Sequence, residues 1–266
     1  MTKKSIMAIG AHADDIENNT AGTLLKYRDQ GYKIVYVMAT NNMAGCDERK
    51  RKPGDEEKQI PSFACPMPPK EGFDARREEA IKAAEMFGTT PIFLDYPQAK
   101  YHKDGKFKSE RLKYGVQMPE DFPNELPSII NACEISDCVD NLAELILKED
   151  PEFIFTHTMD YNQEHNGTAM LTVNAYNKAH EKGARGVLLS WVSQQRYAFK
   201  MAPDVIVDIT DYMDKKIKIQ LLHASQVQEN WPERWRATAR FWGKWSFNCK
   251  GEYGEAFKAI RLGKLF

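Results

Sequence analysis

"SIMAIGA", residues 5–11, is a short run with no polar face. A strand with one face in water alternates polar and apolar residues. A run without alternation suits a parallel strand covered by helices on both sides. Runs of the same character recur at "YKIVYVMAT" (32–40), "TPIFLDY" (90–96), "EFIFTHT" (152–158), "VLLSWV" and "DVIVDIT". Helical signals fill the intervals. The first spans 15–30, with Leu24, Leu25 and Tyr27 on its buried side, Asp15 and Glu17 in its first turn and Gly31 just past its end. Further helices are predicted over 74–88, 136–151, 165–183 and 212–228, and the tail is rich in Trp and Arg. The alternation predicts an α/β fold, a mostly parallel sheet with helices on both faces. With no internal repeat and no linker, residues 1–266 read as one domain carrying long polar loops at about 41–75 and 97–127.

Composition narrows the function classes. The chain is 42% hydrophobic and 28% charged, with a net charge of −1, so it has a core to bury and no electrostatic pull toward nucleic acid or an anionic membrane. No run approaches the ~18 apolar residues of a membrane span. The first apolar stretch meets His12 and two aspartates too early for a secretory signal, so a cytoplasmic location is expected. Cys46, Cys65, Cys133, Cys138 and Cys249 are odd in number with no CxxC pair, which argues against a disulfide framework.

The chemistry gathers where strands end. Open α/β sheets bind ligands beyond the carboxyl ends of their strands. His12, Asp14 and Asp15 follow the first strand; His157, Asp160, Asn162, Glu164 and His165 follow the strand at 152–158. If those strands are neighbours, the two clusters share one crevice. His12, Asp15 and His165 then supply the two imidazoles and one carboxylate of an open zinc site, and Asp14 stays free beside it. A bound cation lowers the pKa of water toward ~7, and a carboxylate within reach can take the proton and later return it. One aspartate is read as ligand, the other as general acid/base. A nucleotide cradle is disfavoured, because the turn lacks GxGxxG and two carboxylates repel pyrophosphate.

"AHADDIENNTAGTLLKY" resembles the signature of the LmbE-like, or PIG-L, family of zinc-dependent N-acetylglucosamine de-N-acetylases. "ARREEAIKAAEMFG", "HTMDYNQEHNGT", "KKIKIQLLHASQ" and "EYGEAFKAI" are similar to four further blocks of that family, in the family's order. The resemblance implies a Rossmann-like fold with a divalent metal at the C-terminal ends of the strands. By position it implies His12, Asp15 and His165 as ligands, Asp14 as acid/base, and Arg76 (rather than Arg77) and His223 at the substrate. It places Asp160 and Glu164 behind the ligands, the latter orienting a histidine. One departure stands out: Asn162 occupies the place of the family histidine that stabilises the oxyanion or protonates the leaving group. Asparagine can donate a hydrogen bond to an oxyanion but supplies no proton. Either Asp14 carries all proton transfer, the preferred reading, or His157 or His223 takes the task, or turnover is weak.

The expected activity is removal of acetyl from an N-acetylglucosamine-type sugar by metal-activated water. The alternative is a metal-containing sugar-binding protein that has lost turnover. His₂Asp suits Zn²⁺, with Fe²⁺ or Co²⁺ as alternatives. The expected partner is a small N-acetylated sugar, with neither nucleic acid nor a membrane span. Family resemblance further implies a homo-oligomer, trimer or hexamer. Trp231, Trp235, Trp242 and Trp245 are read as packing or subunit contacts before sugar stacking, and the basic cluster at 49–52 as a solvated loop.

Overall fold

The computed structural model describes residues 4–50, 65, 67–99, 126–192, 202–245 and 249–261, with the backbone of two short ladders between 101 and 116. The chain begins with β1 (Ser5–Gly10), α1 (Asp15–Asp29), β2 (Lys33–Thr40), a 3-10 turn at Glu48–Lys50, α2 (Pro69–Met86) and β3 (Ile92–Tyr96). The ladders pair β4 (Tyr101–Lys103) with β5 (Lys106–Lys108) and β6 (Arg111–Leu112) with β7 (Gly115–Val116). Then come α3 (Ile129–Ala132), α4 (Ser136–Glu149), β8 (Phe153–Thr156), α5 (Gln163–Glu181), β9 (Val187–Trp191) and β10 (Val205–Asp208). A 3-10 turn at Thr210–Tyr212, α6 (Met213–Gln220), α7 (Trp231–Trp245) and β11 (Gly254–Arg261) complete it.

Seven strands form one sheet in the order β10-β11-β9-β8-β1-β2-β3. β3, β2, β1, β8 and β9 pair parallel, while β11 is inserted antiparallel between β9 and β10. The absence of a polar face in β1 has the expected cause. Ile6 and Ala8 pack on one side with Tyr36, Leu24, Leu25, Ala83 and Phe87. Met7 and Ile9 pack on the other with Val35, Val37, Leu142, Leu171 and Tyr176. β2 and β3 lead away from β1 in one direction and β8 lies on its other side, so the order reverses between β1 and β8. That reversal opens the crevice in which α/β proteins place ligands.

α2, α6 and the tail differ from expectation. α2 starts at Pro69, inside the expected loop, with proline in the first turn where its missing N–H costs nothing. α6 ends at Gln220 instead of running on to 228, because the Ser225 N–H and hydroxyl bind the buried Glu79 carboxylate at 2.7 and 2.8 Å. The aromatic tail forms α7, and "GEAFKAIR" is the last strand. Parts of both long loops, 51–64, 66 and most of 100–125, lie outside the described residues.

Helix α1 is anchored mid-length by an ion pair. Glu255 of β11 accepts the N–H groups of Gly22 and Thr23 at 2.9 and 2.8 Å and the Thr23 hydroxyl at 2.6 Å. Lys216 of α6 donates to Glu255 at 2.6 Å and to the Asn18 carbonyl at 2.8 Å. A Cβ on Gly22 would meet Ile209 at 2.7 Å, so glycine permits this close approach. Lys216 and Glu255 are each 4% exposed, and removing one partner of such a pair leaves a buried charge alone. Glu255→Ala is expected to lower the unfolding free energy by about 3–5 kcal/mol in urea titration. A loss well under 1 kcal/mol would overturn the anchoring role.

Candidate metal centre

β1 and β8 run side by side, with Ile6 opposite Phe153 and Ala8 opposite Phe155, so the turns that follow them meet. His12 Nδ1 stands 3.2 Å from His165 Nε2 and 3.3 Å from Asp15 Oδ2, and His165 Nε2 is 3.4 Å from Asp15 Oδ1. This is the one group among the described residues that brings three such ligand types within 4.8 Å. Three donors at 2.0–2.1 Å from a tetrahedral zinc ion would be separated by about 3.3–3.4 Å.

The far nitrogens decide what the near ones can do. His12 Nε2 is 2.5 Å from Glu164 Oε2, and His165 Nδ1 is 2.7 Å from Asp160 Oδ2. Each carboxylate accepts the far N–H and so presents the near nitrogen as an electron-pair donor. Two lone pairs and a carboxylate facing one point require a positive charge between them, a proton or a metal ion. The residues present therefore fit a divalent cation. The same demand appears in His12: burial favours its neutral form, but its hydrogen bonds to the Asp15 and Glu164 carboxylates outweigh this and raise its pKa to about 10. Burial likewise opposes ionisation of Asp15, yet the neighbouring imidazoles, His165 first, hold it well below the usual carboxylate range. Glu164 is also held low against burial by His12, with Gln98 and the Ala99 N–H as further donors at 2.9 and 2.7 Å.

Asp14 behaves in the opposite sense. Burial raises its pKa, with Arg76 counteracting and the Asp15 charge adding to the rise. Its backbone is left-handed, φ 110°, a conformation that costs a non-glycine residue about 1–3 kcal/mol. Side chains from elsewhere hold that turn: Asn42 Oδ1 takes the Ala13 N–H at 2.9 Å, and Arg76 donates to the Ala13 carbonyl and, at 3.1 Å, to Asp14 Oδ1. Two adjacent aspartates are thus shifted in opposite directions, Asp15 toward its ionised form and Asp14 toward its neutral one.

Several expected sites are placed differently. Arg76 is 3% exposed and holds Asp14 and its turn, where a substrate contact was expected. His223 is fully buried, its Nε2 3.2 Å from Glu17 Oε2. Asn162 caps α5, its Oδ1 accepting the Glu164 N–H at 2.9 Å, so only Nδ2 is left to donate. The capping preference of asparagine accounts for that position. His157 accepts the Ala11 N–H at 2.9 Å, lies 3.2 Å from Asp15 Oδ2 and stacks on His165 with centroids 4.1 Å apart. Asn42 and Gln98 went unnoticed in the sequence; Asn42 follows the end of β2, and the strand-end rule that selected His12 would have selected it too.

A profile described as "PIG-L: GlcNAc-PI de-N-acetylase" matches residues 7–176. The chain belongs to the PIG-L family. It is 24% identical over 227 residues to the 4-oxalmesaconate hydratase of Pseudomonas putida, covering 80% of this chain and 70% of that protein. N,N'-diacetylchitobiose deacetylase from Pyrococcus horikoshii superposes with a TM-score of 0.64 at 21% identity, over 98% of this chain and 85% of that one. The deacetylase of teicoplanin biosynthesis gives 0.65 at 17% identity, over 97% and 98%. The structural likenesses establish the fold, and the PIG-L relatives support an enzyme of metal-dependent hydrolase type. Among the described residues, no helix of this family member is long and apolar enough to cross a membrane.

Loss of His165 in the PIG-L chain, as His165→Ala, is expected to abolish stoichiometric Zn²⁺ binding in a chelator competition. Asp160→Asn should weaken binding by about 10–100-fold by releasing the far nitrogen of His165. Unchanged affinity in both would remove the metal assignment.

Proposed function

We propose that the protein is a metal-dependent deacetylase that removes the acetyl group from an N-acetylglucosamine-type sugar. The observation that carries this is the division of labour at one turn: Asp15 faces His12 and His165, while Asp14 turns to Arg76 and Asn18. His12, Asp15 and His165 would hold the metal, zinc by preference with Fe²⁺ or Co²⁺ as alternatives. A cation bound there supplies Lewis acidity toward water and the amide carbonyl.

The chain's own residues do the rest. Asp14 takes the proton from water as its oxygen attacks the amide carbon, and delivers it to the nitrogen as the C–N bond breaks. Its raised pKa serves the second half of that task, because a strongly acidic carboxyl holds no proton to return. Asn162 Nδ2 is assigned to the developing oxyanion. Asp160 and Glu164 keep the histidines in the required tautomers. This reading takes residues 1–266 as one domain built around the sheet.

A second reading, hydration of a conjugated carboxylate, is favoured by Asn162. The family histidine is replaced there by a residue that cannot release a proton, and the Pseudomonas putida relative is a hydratase. Adding water across a double bond returns the proton to carbon and expels no amine, so one acid/base such as Asp14 suffices.

Zn²⁺-loaded protein should release free amine from N-acetylglucosamine derivatives, read with an amine-reactive fluorophore. Asp14→Asn should lower the rate by about 10²–10⁴-fold while metal stays bound. Loss of conjugated absorbance from an unsaturated dicarboxylate, with no amine release, would replace the deacetylase with the hydratase. Neither reaction with metal bound would leave a binding protein.

A further inference from the structure

Asp14 has two carboxylate oxygens, and a different donor faces each. Arg76 Nη2 donates to Oδ1 at 3.1 Å, and Asn18 Nδ2 donates to Oδ2 at 3.4 Å. A guanidinium carries donors only, so Arg76 meets a carboxylate in one sense. An asparagine amide has two faces. Turned over about its last bond, Asn18 would set its own oxygen against the carboxylate and repel it. Its contact with Asp14 therefore depends on whatever fixes the direction of that amide.

Gln220, the last residue of α6, supplies the constraint. Its Nε2 donates to Asn18 Oδ1 at 3.1 Å, which commits the Asn18 oxygen to α6 and leaves Nδ2 for Asp14. The direction of the chain is set from its far end. An ionised carboxylate only accepts, so Asn18 must present nitrogen to Asp14 and oxygen to Gln220, and Gln220 must present nitrogen in turn. The backbone of Asn18 is fixed as well. Its N–H donates to the Asp14 carbonyl at 2.9 Å, and its carbonyl accepts Lys216 Nζ at 2.8 Å.

Stability does not account for a glutamine at this position. Gln220 is 1% exposed, and its Oε1 has no hydrogen-bond partner among the described residues. A buried acceptor left alone destabilises a fold, and an apolar side chain of similar size would fill the space without it. Groups that break a local rule in this way are kept where they serve function.

We infer that Asn18 and Gln220 are positioning residues for the acid/base: Gln220 directs the Asn18 amide, and Asn18 together with Arg76 holds the Asp14 carboxyl group in one orientation. The inference rests on the proposed role of Asp14. It ties the first turn of α1 to α6 through two neutral amides, separately from the ion pair that anchors the same helix further along.

The test compares Asn18→Leu, Gln220→Met and the double variant, each as the Zn²⁺-loaded full chain, in amine release from N-acetylglucosamine derivatives. kcat should fall by about 10–100-fold in Asn18→Leu and by about tenfold in Gln220→Met, with KM and Zn²⁺ affinity unchanged. Because Gln220 acts through Asn18, the double variant should be no slower than Asn18→Leu alone. Gln220→Met should keep or raise the urea midpoint of unfolding while it lowers kcat, whereas a packing role would lower both. In ¹³C NMR the Asp14 carboxyl resonance, assigned by its loss in Asp14→Asn, should move in both single variants. Wild-type kcat in Gln220→Met, or a further loss of about tenfold in the double variant, would overturn the relay. An unmoved Asp14 resonance would do the same. No amine release from the wild type with metal bound would bring down the deacetylase reading, and the Asp14 resonance would then decide the relay by itself.

Discussion

Two imidazole nitrogens and a carboxylate oxygen are held 3.2–3.4 Å apart with their electron pairs turned toward one another. Left to themselves these groups would repel or rotate away. They stay because Glu164 and Asp160 grip the opposite edges of the two rings, and because burial screens none of the charge with water. The site is in this sense loaded toward positive charge before any ligand arrives. Gln98 and the Ala99 amide hold Glu164, and Asn42 and Arg76 hold the turn of Asp14. Side chains from α1, α2, α5 and the turns after β1, β2, β3 and β8 all contribute to one arrangement.

Much of this was legible from residue type and spacing. β1 declared its burial on both faces by having no polar alternation, and the helix signals around Asp15 and Gly31 marked α1 to within a residue. The link between His12 and His165, 153 residues apart, needed one further condition, the adjacency of β1 and β8. Periodicity is silent about which strands are neighbours. That condition came from the rule that sites form at strand ends, and the sheet order meets it.

What was not legible depends on how polar groups find partners in three dimensions. Arg76 at a helix start reads as a substrate contact or a solvated charge, because nothing local shows that the Ala13 carbonyl and Asp14 wait for it. His223 lies just past the end of α6, and nothing local shows that it is buried beside Glu17 of α1. The expected end of the helix at 228 failed for a related reason. A hydrogen bond to Glu79 of α2 outcompetes the next helical turn, and local propensity contains no term for it.

The anchoring of α1 also has a consequence for the order of assembly. Asp14 and Asp15 are made about 240 residues before Glu255, whose carboxylate binds the middle of the helix they begin. The strand carrying it enters the sheet between β9 and β10, both made earlier. Until that strand arrives, Lys216 has no counter-ion and the helix lacks its anchor. A nascent chain can therefore pair the parallel strands before that strand exists but cannot fully secure the helix that starts at Asp15. The candidate centre is thus fully secured only when the strand inserted between β9 and β10 is in place.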